Sequence, residues 1–185
     1  MIRSLIAVAC LTIVWPQGTA DEELLKALPK SKHPLLEGIQ QLTRGTEQPI
    51  SAKFEIEDGH FSLSVYTAGK GLAVDAERNV LQEYAGAPDA SAWEPKVEVF
   101  DDDAHIARSA QQLTLMALAP VSLADVVEKA EKSQAGTVYS VTPVLRGRKA
   151  QFVVLLAKDG RSIEQDYDLL TGEAVKAKDA DAPKR

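Results

Sequence analysis

The sequence predicts an α+β fold made of two repeats, each a helix packed on a small antiparallel β-meander, joined by a linker and an extra helix. Three observations lead there. Apolar and turn positions recur about 88 residues apart: Leu35-Leu36 falls on Leu123-Ala124, Ile39 on Val127, Leu42 on Ala130, Ile50 on Val138 and Gly59 on Gly147. Small shifts of offset then bring Val65 onto Val154, Gly71 onto Gly160, Asp75 onto Asp168 and Asn79 onto Gly172. In each copy a helix-like apolar stripe gives way to strand-like runs. Short turns at Asp58-Gly59 and Asp159-Gly160 divide those runs, and both residue types tolerate the positive φ that a tight hairpin requires.

The N-terminus stands apart from this pattern. Arg3 supplies a basic start, Leu5 to Val14 form an apolar run, Pro16 breaks it, and Gly18-Thr19-Ala20 offers small residues for cleavage. This reads as a secretory signal peptide over residues 1–20, because a spanning helix needs about 20 apolar residues. Cys10, the sole cysteine, lies inside the apolar run. Ala7-Val8-Ala9-Cys10 faintly resembles a lipoprotein cleavage box, but little chain precedes the cysteine and the apolar run continues past it. A mature chain without cysteine fits a bacterial periplasm, or secretion, better than a disulfide-stapled extracellular module. The remaining boundaries are 21–85 for the first unit, 86–100 for the linker, 101–175 for a helix plus the second unit, and 176–185 for a disordered tail.

Charge excludes one class of partner. With 27 acidic against 21 basic residues the net charge is −6, the signs are mixed, and nucleic acid demands a basic face.

Along the chain, Asp21-Glu22-Glu23 begins a helix that Pro29 stops. Pro34 suits the first turn of the next helix, Leu35, Leu36, Ile39 and Leu42 make its apolar stripe, and Gly45 ends it. Ile50, Ala52, Phe54 and Ile56 alternate with Ser51, Lys53, Glu55 and Glu57, as on a half-buried strand. A turn at Asp58-Gly59 pairs Ile56 with Phe61, Phe54 with Leu63 and Ala52 with Val65, and a one-residue slip would scatter these side chains over both faces. A third strand is expected over Leu72–Asp75, with a short fourth beginning at Val80-Leu81 after an Asn79 turn. Residues 86 to 98 hold two prolines and a glycine and read as linker.

The acids Asp101-Asp102-Asp103 open a helix with Ile106, Ala110, Leu113 and Met116 on one face. After Pro120, Ser122 and Asp125 form a capping box, with Val121 and Val126 as its staple. A three-residue turn at Arg146-Gly147-Arg148 pairs Val144 with Ala150, Thr142 with Phe152 and Val138 with Leu156. The Asp159-Gly160 turn pairs Leu156 with Ile163, Phe152 with Tyr167 and Ala150 with Leu169. Pro143 cannot donate to a ladder, so its strand is expected at an edge or bulged. The opposite face carries Tyr139, Val141, Leu145, Val153 and Leu155, and should be covered by the 104–118 helix or by the first repeat.

Phe152-Val153-Val154-Leu155-Leu156-Ala157-Lys158-Asp159-Gly160, followed by Tyr167-Asp168-Leu169-Leu170-Thr171-Gly172-Glu173, resembles a PepSY domain in its strand, turn, strand and terminal D-x-x-T-G-E signature. The first copy keeps the aspartate in Asp75-Ala76-Glu77-Arg78-Asn79-Val80-Leu81 and replaces the glycine with asparagine. The resemblance covers residues 33–84 and 121–175. It implies small α/β modules of the kind found in metalloprotease propeptides and periplasmic proteins, and hence a non-enzymatic binding, inhibitory or regulatory role toward a periplasmic protein partner such as a protease or an envelope sensor. That step is an argument by fold analogy. Small-ligand binding in a cleft between the two units is the alternative.

No nucleophile–base pair, phosphate-cradling loop or metal-ligand spacing stands out, so no catalytic, cofactor-binding or metal residue is assigned and no cofactor is expected. Asp75 and Asp168 are the candidate carboxylates, with turn formation as the simpler role. Asp101-Asp102-Asp103 could face calcium, but charge at a helix N-terminus explains them. His33, His60 and His105 are scattered. Trp93 reads as a linker anchor rather than a ligand platform, and Lys53, Glu55, Ser62, Ser64 and Tyr66 as a solvated outer face.

Overall fold

The computed structural model describes residues 17–45 and 47–175. The expected apolar run Leu5 to Val14, Cys10 and the tail 176–185 lie outside the described residues. The order is α1 (Gln17–Ala27), a 3-10 turn (Leu28–Lys30), α2 (Leu35–Thr43), β1 (Gln48–Glu57), β2 (His60–Ala68), β3 (Leu81–Gly86), β4 (Lys96–Val99), α3 (Asp103–Leu118), α4 (Leu123–Ser133), β5 (Thr137–Arg146), β6 (Lys149–Lys158) and β7 (Arg161–Asp168). The fold is α+β, and all the strands form one antiparallel seven-stranded sheet in the order β4-β3-β2-β1-β5-β6-β7.

Two separate meanders were expected, and the join between them is the main correction. The first strands of the two meanders, β1 and β5, lie side by side and pair at Ala52–Val141 and Lys53–Ser140. Each would otherwise present a row of unpaired backbone donors and acceptors at an edge. Their contact removes both edges and merges the two cores into one cluster running from Leu35 and Phe54 to Val127 and Phe152.

The β1–β2 hairpin has the expected register at Ile56–Phe61, Phe54–Leu63 and Ala52–Val65, with Asp58 and Gly59 at φ 48° and 78°. In the second half the turn is tighter than expected. Arg146 pairs with Lys149, leaving Gly147 and Arg148 as a two-residue turn at φ 56° and 67°. Pro143 therefore opposes Phe152, and Thr142 opposes Val153. Val138 still meets Leu156, because a bulge between Val138 and Ser140 takes up the extra residue. The Asp159-Gly160 turn gives Leu156–Ile163 and Phe152–Tyr167 as expected, and Leu169 N–H donates to the Ala150 carbonyl at 3.1 Å. Pro143 lies on an interior strand that is bulged, the second of the two expected arrangements. It lies beyond the two residue pairs that join β5 to β1, so its missing N–H leaves that short ladder intact.

Residues 72–75 do not form a strand. They belong to a turn-rich loop, and β3 begins at Leu81. Asn79 organises this loop through its side chain: its amide donates to the carbonyls of Gly71 and Val74, both at 2.8 Å, and its oxygen accepts from Lys70 N–H at 2.9 Å. Asn79 is not among the positive-φ residues, whereas its sequence counterpart Gly172 is at φ 64°. The expected linker is also partly sheet, because β4 pairs with β3 at Tyr84–Val97 and Glu83–Glu98. Trp93 closes the intervening loop. It is buried over Gly86, where a Cβ would meet its indole at 3.0 Å, and its carbonyl accepts from Gln41 at 3.3 Å.

Helices cover both faces of the sheet. On one face, α2 packs so closely on β2 that a Cβ at Gly38 would sit 2.9 Å from Leu63 Cδ2. Beside it, α4 buries Val126, Val127 and Ala130, and Ser133 Oγ lies 3.3 Å from Tyr167 Oη. On the other face lies α3, tied to β1 by a buried hydrogen bond from Ser51 Oγ to Gln112 Oε1 at 2.9 Å. Its buried side is Ser109, Gln112, Leu113, Leu115 and Met116, while Ile106 is 37% exposed. The stripe read from apolar residues alone was thus rotated, because two polar residues belong to the packed face.

This arrangement also corrects the membership of the faces. Val141 pairs with Ala52 and Val154, and Leu145 with Ala150, so both point to the α2/α4 side. Tyr139, bonded to Ser162 at 2.6 Å, stays on the α3 side with Val153 and Leu155. In the first half, Ser64 is fully buried and Tyr66 stacks on Phe100 at 6.0 Å. That face is therefore covered in part rather than merely solvated.

Candidate functional site, an apolar groove at the α3–α4 elbow

Pro120 ends α3, and the capping box of Ser122 and Asp125 starts α4 at an angle of 81° to it. Ser122 Oγ accepts from Asp125 N–H at 3.2 Å, and Asp125 Oδ2 accepts from Ser122 N–H at 2.9 Å. These bonds from Ser122 hold the Asp125 carboxyl below the usual aspartate range. The elbow carries the chain from one face of the sheet to the other, past the start of β1. A groove of about 620 Å³ opens between the elbow and α2.

Its walls are apolar: Ile39 of α2, Pro49 of β1, Leu72 of the Asn79-clamped loop, Met116 of α3, and Val121 and Leu123 of the elbow. Gln40, Thr43, Arg44, Gln48 and Ser122 supply the polar rim. Arg44 is exposed at the C-terminal cap of α2 and has no ion-pair partner among the described residues. A second hollow of about 510 Å³ lies at the other end of the first hairpin, where Glu57, Asp58, His60, Glu94 and Lys96 surround Phe61.

The candidates read from the sequence lie elsewhere and do not converge. Asp75 accepts from Arg78 N–H at 3.2 Å and pairs with its guanidinium, which draws its pKa down. Asp168 accepts from Leu170 N–H and Thr171 N–H, both at 3.0 Å. Both act within their own turns. Asp102 caps α3 by accepting from Ala104 N–H and His105 N–H, and these backbone bonds together with the His105 side chain hold its pKa down. His105 also stacks on Phe100 at 4.9 Å, and His33 bridges Glu37 and the Ala90 carbonyl at 3.1 and 3.2 Å. No group of three or more His, Cys, Asp or Glu among the described residues could hold a metal ion.

A carboxylate cluster does occur on the α3 side of the first half. Burial raises the pKa of Glu57, aided by Glu55 and Glu83. Burial also pushes the Tyr66 phenol far up, again with Glu55 and Glu83 adding to the shift. Lys53 pairs with Glu55 and lies 5.5 Å from the Tyr66 ring centroid.

No single helix among the described residues is long and apolar enough to cross a membrane. No family model and no curated protein matches the chain. Among solved structures, the chain is similar to a candidate lipoprotein from Clostridium difficile 630, with 16% identity, 79% of this chain and 92% of that chain covered, and a TM-score of 0.38. A likeness at that level assigns neither fold nor function.

A cleft between the two units was the alternative read from the sequence, but the residues of this groove were not identified there. Its walls come from positions as far apart as Ile39 and Leu123, and no local spacing joins them. Met116 was read as core and Val121 as a helix staple, and Leu72 was placed in a strand that does not form.

Proposed function

We propose that this is an exported, non-enzymatic, PepSY-like binding protein that recognises its target through the groove between α2 and the α3–α4 elbow. Export rests on Arg3, the Leu5 to Val14 run and the Gly18-Thr19-Ala20 site. The PepSY reading rests on the two helix-plus-meander successions and on the D-x-x-T-G-E run ending at Glu173. The groove itself carries the binding reading: an apolar hollow with a few polar groups at its rim and a volume within the ligand-site range of about 300–1,000 Å³. Under this reading the target is a periplasmic protein, such as a protease or an envelope sensor, that the module regulates. A small ligand in the groove is the second reading, favoured by the concave shape and the unpaired cation.

A photo-crosslinking amino acid placed at Thr43, on the groove rim, tests the site. Irradiation of the envelope fraction should give an adduct absent when the same amino acid replaces Arg148 on the distant β5–β6 turn. The adduct's mass reports whether the target is a protein or a small molecule. Equal labelling from both positions would remove the groove from consideration.

A further inference from the structure

Electrostatics at the groove narrow its occupant. The chain carries a net charge of −6, yet among the described residues no Asp or Glu lines this groove and Arg44 is its one charged lining residue. Some cations of this protein lie against acids, as Arg78 does on Asp75, Arg146 on Glu164 and Lys129 on Glu173. Arg44 has no such partner among the described residues, and Gln40 and Gln48 stand beside it on the rim. Beyond this rim the wall is hydrocarbon, with Met116 offering an unbranched thioether that adapts to irregular chains.

We infer that the groove binds a single-chain amphipathic carboxylate, an anion of the fatty-acid type. Its carboxylate meets the Arg44 guanidinium and its alkyl chain lies along Leu72, Met116 and Val121. The planar guanidinium fork matches a carboxylate in two parallel hydrogen bonds. One guanidinium balances one negative charge, so a doubly charged phosphate headgroup would keep an excess of charge against apolar walls. The volume of about 620 Å³ suits one alkyl chain rather than the paired chains of a phospholipid. This inference rests on the second, small-ligand reading of the groove and adds the chemistry of what enters it.

Calorimetric titration of the purified protein with laurate below its micelle concentration tests it, with dodecanol as the uncharged probe. Laurate should bind at least about tenfold more tightly than dodecanol, the difference expected of a charge-assisted hydrogen bond. Arg44→Gln should bring laurate down to the dodecanol level, and Thr43→Glu, which places an acid on the exposed rim, should abolish laurate binding. Both variants should keep the wild-type melting curve. Absence of laurate binding, equal affinity for the two probes, or laurate affinity unchanged in Arg44→Gln would overturn the inference. So would sedimentation with phosphatidylglycerol vesicles without binding of monomeric laurate, or a dimer dispersed by Thr43→Glu in protein that ignores laurate. A protein adduct from Thr43 without laurate binding would sink this inference and leave the groove as the binding surface.

Discussion

The two halves of the sheet solve one folding problem with different local means. In the second half, β6 passes to β7 through the two residues Asp159 and Gly160, and α4 begins with a capping box. In the first half, β2 reaches β3 only after the 69–80 loop, which Asn79 holds by four hydrogen bonds, and α2 begins at Pro34 without a side-chain cap. The longer loop places Leu72 on the wall beside the elbow and so completes the groove. Like helices and strands can therefore support unlike surfaces, and here the irregular connections make the difference.

Single-sheet continuity is the largest claim and admits the largest test. Phe54 and Phe152 are each at most 2% exposed, one in each half. Truncating either to alanine should cost about 3–5 kcal/mol. Because β1 and β5 pair and the core is one cluster, either variant should melt in one transition that lowers the stability of both halves together. A biphasic urea melt for Phe54→Ala, with the second half unaffected, would show that the halves fold independently.

Helix height above the sheet is the next contrast. Gly38 allows α2 to approach Leu63, whereas Val126 stands at the aligned position of α4, fully buried. Gly38→Val should force α2 outward and cost about 1–3 kcal/mol through overpacking. Val126→Gly should also destabilise, by cavity formation and lost helix propensity rather than crowding. A neutral Gly38→Val in thermal melts would mean that α2 does not depend on this close approach.

What the sequence could and could not reveal follows the same division. Hairpins were legible where a local turn fixes the register, as at Asp58-Gly59, whose pairings hold residue by residue. The β5–β6 register was legible only in part. A two-residue turn at Gly147-Arg148 and a bulge at Tyr139 offset each other, and alternation alone cannot separate that pair of features from a three-residue turn. The face of α3 was misread because Ser51 and Gln112 satisfy each other in the core, so burial there does not follow polarity. The β1–β5 join involves only two residue pairs between segments remote in sequence. Its one local trace is a β5 apolar on both faces, at Tyr139 and Val141, as expected of a strand covered on two sides. The groove left no local trace, since its walls are single residues from many segments.

Caps give a smaller and more local contrast. Ser122→Ala should cost about 1 kcal/mol by removing the box that starts α4. Pro34→Ala, at a helix start with no side-chain cap, should cost less. Equal losses in the two variants, measured by chemical denaturation, would mean that the box does not hold the elbow.

Acidification should separate the halves most subtly, and with opposite signs. The Asp125 carboxyl is held below the usual range by its bonds to Ser122. It binds its proton less readily folded than unfolded, so its contribution is present above the unfolded pKa of about 3.9 and is lost as pH falls through the folded value. The Glu57 carboxyl has its pKa raised by partial desolvation and by the neighbouring Glu55 and Glu83. It binds its proton more readily folded than unfolded, so its penalty sets in as pH rises above the unfolded glutamate value of about 4.3 and is relieved on acidification. Glu57 itself is exposed, which keeps the effect small. Hydrogen exchange, corrected for intrinsic rates, should show the amides of the α4 first turn losing protection below about pH 4 while those around the β1–β2 turn gain relative to them. Asp125→Asn, which removes the titrating group, should flatten the first trend and Glu57→Gln the second. Trends of the same sign in both halves, or trends that survive these substitutions, would mean that other carboxylates govern the acid response of the sheet.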